Sequence, residues 1–280
     1  MKSFHKFIKN GIFLLILIFF SSPITSKNIF FDLGGVILDS NHFKAAQKLG
    51  FKCIFYPGLQ KHLFDFMCYI DPINDEDRDI DSTYKGDQMP PLLCKWQKGK
   101  ISCKELSDII IEGVDKNQEY FNNGQKTKQK LIKKSAELFL PENSVEIITT
   151  KKSMIKLANQ LKEEKDKTGK PKHRLGIISN HDWETVQLIK KYYPEAFAPF
   201  DENMIIISSQ VKMIKPNKNI YEYVIKKYNL PKDPKENIFI DDQQENVEAA
   251  NKTGYFTAIK HTSTEKTKKI IKKTGALTKQ

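Results

Sequence analysis

Short apolar runs that stop abruptly on polar residues recur along the chain, separated by stretches of helical spacing. NIFF (Asn28–Phe31) stops at Asp32, LGII at Ser179 and Asn180, and NIFI (Asn237–Ile240) at Asp241 and Asp242. Met204–Ile207 and YFTAI complete a set of five expected strands. Between them, Met154, Leu157, Ala158 and Leu161 share one helical face. A second helix is expected around Trp183–Tyr193. A third lies in KPNKNIYEYVIKKY, with Pro216 in its first turn and Ile220, Tyr221 and Val224 on its apolar face. A fourth starts at Glu245 and stops at Gly254, and TEKTKKIIKK forms a basic terminal helix. Short strands alternating with helices predict an α/β, Rossmann-like, three-layer core built on a parallel sheet.

One stretch breaks the alternation. From about Asn41 to Leu138 the pattern is helical, without a convincing strand, and far too long for a simple connection. The expected organisation is therefore a core of residues 27–40 and 139–280, with residues 41–138 inserted as a helical cap. The acidic run DPINDEDRDID (Asp71–Asp81) lacks the glycine and glutamate that a calcium loop needs in register, so a solvated cap loop is expected.

The N-terminus has a different character. Lys2, Lys6 and Lys9 precede the apolar run Ile12–Phe20, and SSPITS follows. This is the layout of a secretory signal over residues 1–26, with cleavage after Ser26. The run is short of the about 20 apolar residues that span a bilayer. With Ile24 three residues before the cut, an uncleaved anchor over residues 12–20 is the alternative. Export, periplasmic or secreted, is the expectation, with membrane contact only through this segment. An exported chain meets an oxidising compartment. Cys53, Cys68, Cys94 and Cys103 show no CxxC pairing, which argues against zinc; disulfides and buried free thiols both stay open.

The net charge of +12 raises the question of nucleic acid. The basic residues are almost all lysines spread along the chain, with arginine only at Arg78 and Arg174. Base readout and planar phosphate recognition favour arginine. No specific nucleic-acid partner is expected.

The chemistry lies at the strand ends, where open parallel sheets build their sites. Asp32, Ser179 with Asn180, and the Asp241–Asp242 pair each close a strand, and Lys215 precedes a helix. Singly, each has an ordinary structural explanation as a cap, a turn or a surface residue. Their joint order of acid, hydroxyl, lysine and acid pair does not. A carboxylate can attack phosphorus. Three carboxylates at one edge need a cation, and Mg²⁺ suits an oxygen site that also takes a phosphate oxygen. Lysine and serine then hold the other phosphate oxygens.

This order resembles the haloacid dehalogenase-like (HAD) hydrolase superfamily. FFDLGGVILD is similar to its first motif, IISN to its second, VKMIKPNKNIY to its third and FIDDQQENVEAANKTGY to its fourth. CKWQKGKISCKELSDII is similar to the helical caps of members with a cap after the first motif. The resemblance covers residues 28–260. It implies Asp32 as nucleophile, with Lys215 beside it in catalysis. It implies Ser179, Asn180 and Lys215 as substrate binders. The implied Mg²⁺ ligands are Asp32, Asp241, Asp242 and the Gly34 carbonyl, and the implied substrate is a small phosphorylated metabolite, sugar-phosphate-like. Gly34 departs from the pattern. Phosphatases of the superfamily usually carry an acid/base Asp there and dehalogenases a Tyr; a phosphatase-like subgroup carries Gly. His181, a cap residue or the leaving group itself must then move protons. The alternative function is a protein that binds a phosphorylated ligand with little or no turnover. Nothing in the sequence sets the oligomeric state.

Overall fold

The computed structural model describes residues 26–72, 83–84, 87–121 and 125–277. The signal-like segment before Ser26 and most of the acidic run Asp71–Asp81 lie outside them. Among the described residues, no helix is long and apolar enough to cross a membrane.

Five strands form the expected parallel sheet: β1 (Lys27–Phe31), β6 (His173–Ser179), β7 (Ile205–Ile207), β8 (Asn237–Asp241) and β9 (Thr257–Lys260), in the order β7-β6-β1-β8-β9. Every residue of β1 and β8 is buried. Strands covered on both faces carry continuous apolar runs, which is why NIFF and NIFI do not alternate. Ile29 and Phe31 enter one buried cluster with the helices Lys152–Glu163, Trp183–Tyr192 and Thr264–Lys273. Phe30 points to the other side, where Lys218–Lys227 and Gln244–Lys252 pack. The period of two along a strand thus divides one run between two layers.

Local signals set the helix ends. The Asp182 carboxylate accepts from the Thr185 N–H and starts the helix Trp183–Tyr192. The third expected helix starts later than its proline suggests. It runs from Lys218, the Asn217 side chain accepts from the Asn219 N–H, and Pro216 lies outside it. Pro216 therefore belongs to the loop that delivers Lys215.

Between the first motif and β6, the described chain is mostly helical. The helices His42–Leu49, Leu59–Ile70, Pro91–Gln97, Cys103–Lys116 and Lys126–Glu137 carry it. Cys103–Lys116 opens on a capping box, with Ser102 and Glu105 bonded reciprocally. A separate apolar cluster, including Phe66, Leu93, Trp96, Leu106, Ile110 and Ile132, holds these helices together. Among the described residues of the second half of the chain, only Ile214 is buried within it. Short pairings appear that the sequence pattern did not indicate: β2 (Leu38–Ser40) runs antiparallel to β5 (Ile148–Thr150), and β3 (Thr83–Tyr84) to β4 (Asp87–Gln88). Pieces of two or three residues carry no readable periodicity. The four cysteines are free thiols in this structure.

Candidate active site

All five strands of the sheet run parallel, so their carboxyl ends share one edge. The chain crosses from β7, at one margin, to β8 on the far side of β1. The crevice at that reversal is where such sheets bind ligands. Phe31 is level with Ile177 of β6 and Ile240 of β8. One residue on, Asp32 donates its N–H to the Ile240 carbonyl at 2.9 Å. Register alone therefore brings Asp32 beside Asp241.

The two acids share one cation. The Lys215 ammonium lies 3.0 Å from Asp32 Oδ1 and 2.7 Å from Asp241 Oδ2, and all three groups are buried. The Leu33 N–H also donates to Asp32 Oδ1 at 2.7 Å, and the Ser179 hydroxyl bonds the same carboxylate. Burial raises the Asp32 pKa; Lys215 opposes the rise, the Asp241 charge adds to it, and it comes to about 6. Burial alone works against the Lys215 ammonium, yet Asp241 and Asp32 outweigh it and hold its proton more tightly than usual. Burial first, and then the Asp241 charge, raise the Asp242 carboxyl.

Lys215 is bonded to two of the three acids and Lys260 acts on Asp242 from its carbonyl side, so three carboxylates still converge on one point. Asp32, Asp241 and Asp242 offer ligand oxygens within 4.8 Å of one another. Asp242 Oδ1 is buried with no hydrogen-bond partner among the described residues, and an unpartnered buried oxygen costs about 1–3 kcal/mol unless something binds it. These residues fit Mg²⁺, a hard cation taken up by carboxylate oxygens. The Gly35 backbone completes the cradle. Gly35 adopts φ +70°, and a Cβ there would lie 2.3 Å from the Asp242 carboxylate. Replacing Gly35 with Ala is expected to displace Asp242 and to weaken Mg²⁺ binding by about 10–100-fold, as when groups behind a metal ligand are lost. Titration calorimetry with Mg²⁺ alone measures it, and unchanged affinity refutes the cradle.

The sequence-predicted residues fare differently. Asp32, Ser179, Lys215, Asp241 and Asp242 come together. Asn180 stands beside them in another role: its side chain accepts from the Lys215 N–H and donates to the Lys215 carbonyl, both at 2.8 Å. These two bonds hold the lysine's backbone in place. Gly34 occupies the turn after Asp32, and a Cβ there would meet nothing within 4 Å. Sterics do not exclude a side chain at that position.

Sequence reading missed Asn246, Lys151 and Lys260. Asn246, 2% exposed, donates to both oxygens of Asp241 at 3.1 and 3.0 Å. Its spacing, one helical turn beyond Asp242, was the available signal. Lys151 reaches the Gly35 carbonyl at 2.6 Å, and Lys260 the Asp242 carbonyl. These two bond backbone carbonyls, which leave no trace in residue type.

A doubly wound parallel sheet with a carboxylate–lysine cluster at its carboxyl edge defines the class as an α/β protein with its site at the switch point of the sheet. The haloacid dehalogenase-like hydrolase family matches residues 27–254, and the chain belongs to it. Among solved structures, it is similar to a HAD family enzyme of Bacteroides thetaiotaomicron in complex with magnesium and inorganic phosphate. That match has 19% identity and a TM-score of 0.47, over 84% of this chain and 93% of that one. A HAD-like family hydrolase of Porphyromonas gingivalis matches at 20% identity and a TM-score of 0.48, over 84% and 91%. A dehalogenase matches at 14% identity and a TM-score of 0.50, over 84% of each chain, and shares the fold. No curated protein sequence matches significantly.

Proposed function

We propose that this protein is a Mg²⁺-dependent phosphatase of small, sugar-phosphate-like phosphomonoesters. The observation that carries the reading is the convergence of Asp32, Asp241 and Asp242, with the Lys215 ammonium bonded to the first two. Asp32 Oδ1 is fixed by Lys215 and the Leu33 N–H, which sets the plane of the attacking carboxylate. An Asp32 oxygen forms a bond to phosphorus as the ester oxygen leaves, and water then cleaves the aspartyl-phosphate. Lys215 and Ser179 bind the phosphate oxygens and meet charge that develops on them. Mg²⁺, held by Asp32, Asp241, Asp242 and the Gly34 carbonyl, would neutralise the acids and take one phosphate oxygen.

The helical segment 41–138 acts in this reading as a cap that excludes water and selects the substrate. Its contact with the core supports this: the Ser208 hydroxyl donates to the Gln97 carbonyl at 2.7 Å, and the Trp96 ring lies 6.0 Å from that of His181. The basic start and apolar run before Ser26 support export.

A screen of phosphorylated metabolites with and without Mg²⁺ tests the function. Phosphate release from at least one small monoester is expected in Mg²⁺, falling to background in EDTA. Tight binding of such an ester without release of phosphate would instead establish a binding protein.

A further inference from the structure

The turn that follows β6 holds a His–Asp pair that the preceding chemistry does not use. His181 Nδ1 and Asp182 Oδ2 are 2.9 Å apart. The Asp182 carboxylate is buried and further engaged: it accepts from the Thr185 N–H at 2.7 Å and bonds the Cys103 thiol. Cys103 in turn accepts from Trp96 Nε1 at 3.3 Å. A carboxylate so restrained fixes the imidazole, keeps a proton on Nδ1 and turns Nε2 into the working nitrogen. Nε2 has no protein partner among the described residues, and the side chain keeps 19% of its surface exposed. The backbone of His181 is also clamped, because its N–H donates to the Ser208 hydroxyl at 3.0 Å and its carbonyl accepts from the Ser209 N–H.

The location matters as much as the pair. Two residues earlier, the Ser179 hydroxyl bonds Asp32. One residue earlier, Asn180 holds the backbone of the lysine whose ammonium touches Asp32. Residues 179–181 therefore follow the rim of the nucleophile, and the His181 ring lies at the junction with Trp96 of the helical segment. In the cap reading above, a leaving group attached to a phosphorus at Asp32 lies between core and cap. Gly34, with no side chain, moves no proton from the other side.

We infer that His181, oriented by Asp182, is the general acid and base of the reaction, a role that rests on the phosphatase reading above. In the first step Asp32 forms a bond to phosphorus, the phosphorus–ester oxygen bond breaks, and the proton on His181 Nε2 passes to the leaving oxygen. In the second, Nε2 takes a proton from water, the water oxygen bonds phosphorus, and the phosphorus–Asp32 bond breaks. Protons balance over the cycle. A positioned acid/base contributes about 10²–10⁴-fold. Asp182 is a positioning residue.

The test compares two esters in Mg²⁺, using the full chain. Glycerol phosphate has a leaving oxygen that needs a proton; p-nitrophenyl phosphate does not. His181→Gln is expected to lower kcat/KM for glycerol phosphate by about 10²–10⁴-fold. With p-nitrophenyl phosphate it is expected to give a stoichiometric burst of nitrophenolate and then slow turnover, because only the water step needs the base. Asp182→Asn lowers kcat with KM unchanged. The ratio between the esters does not depend on how much of the variant is folded. An unchanged ratio without a burst overturns the role of His181 and leaves the phosphatase reading intact. Wild-type protein that releases phosphate from no monoester in the metabolite screen overturns both.

Discussion

Asp32→Asn is expected to reduce phosphate release by about 10⁴–10⁶-fold, the scale on which enzymes lose rate when a nucleophile is removed. The amide has the shape of the carboxylate but does not attack phosphorus. The substitution is also expected to leave the metal-free protein no less stable. Asp32 is buried among acids that outnumber the single ammonium beside it, and its pKa is pushed up to about 6. A carboxyl that binds its proton more tightly folded than unfolded contributes stability below its ordinary pKa of 3.8, and that stability is lost as pH rises through about 6. Asn carries no such dependence. In EDTA, the melting temperature of Asp32→Asn relative to the wild type should therefore rise between about pH 4 and pH 6. Phosphate-release assays and thermal melts across that window check both statements. Activity that survives the substitution removes the aspartyl-phosphate from the mechanism; a melting difference that shrinks with pH contradicts the electrostatic account.

Lys215→Met is expected to be the most destabilising single change at the site. The ammonium is 1% exposed, contacts Asp32 and Asp241, and lies 5.3 Å from the centre of the Phe239 ring. Removing one partner of a buried ion pair leaves uncompensated charge and costs about 3–5 kcal/mol. In a chain of this size that is roughly 10 °C of melting temperature in EDTA. A Mg²⁺ ion held by the three acids would bind the folded state only, so millimolar Mg²⁺ should recover part of the loss. Phosphate release should fall as well, because among the described residues no other cation lies against Asp32. A Lys215→Met protein that melts like the wild type in EDTA would show that the three acids do not depend on this lysine.

Much of this was legible before any coordinates. NIFF, LGII and NIFI announce strands buried on both faces, because a central parallel strand has no solvent side to mark. Asp32, Ser179, Asp241 and Asp242 stand out because each closes such a run, and a parallel sheet sends all those ends to one edge. Lys215 was readable only through its order among the motifs. The rest was hidden for identifiable reasons. Asn180 is polar at a strand end, as a ligand-binding residue would be, and only its two bonds to the Lys215 backbone show that it positions the lysine. Asn246 lies in an ordinary helical pattern until that helix sets it against Asp241. Pro216 suits a first turn by type, yet the helix starts at Lys218. Strands of two or three residues, such as β2 and β5, are shorter than any period that could reveal them.

The sequence by itself determined the alternation of strands and helices, the long helical insertion after the first motif and the acids that end the strands. These follow from local periodicity and from the cost of burying a polar group without purpose. Only the tertiary structure decided which charges neutralise one another, because the separation of Asp32 and Lys215 depends on sheet register and on a loop held by Asn180 from another strand. It also decided that Asp242 Oδ1 has no hydrogen-bond partner among the described residues and that the His181 ring lies beside that of Trp96. Residues more than a hundred positions apart acquire a shared electrostatic environment only when packing removes the water between them.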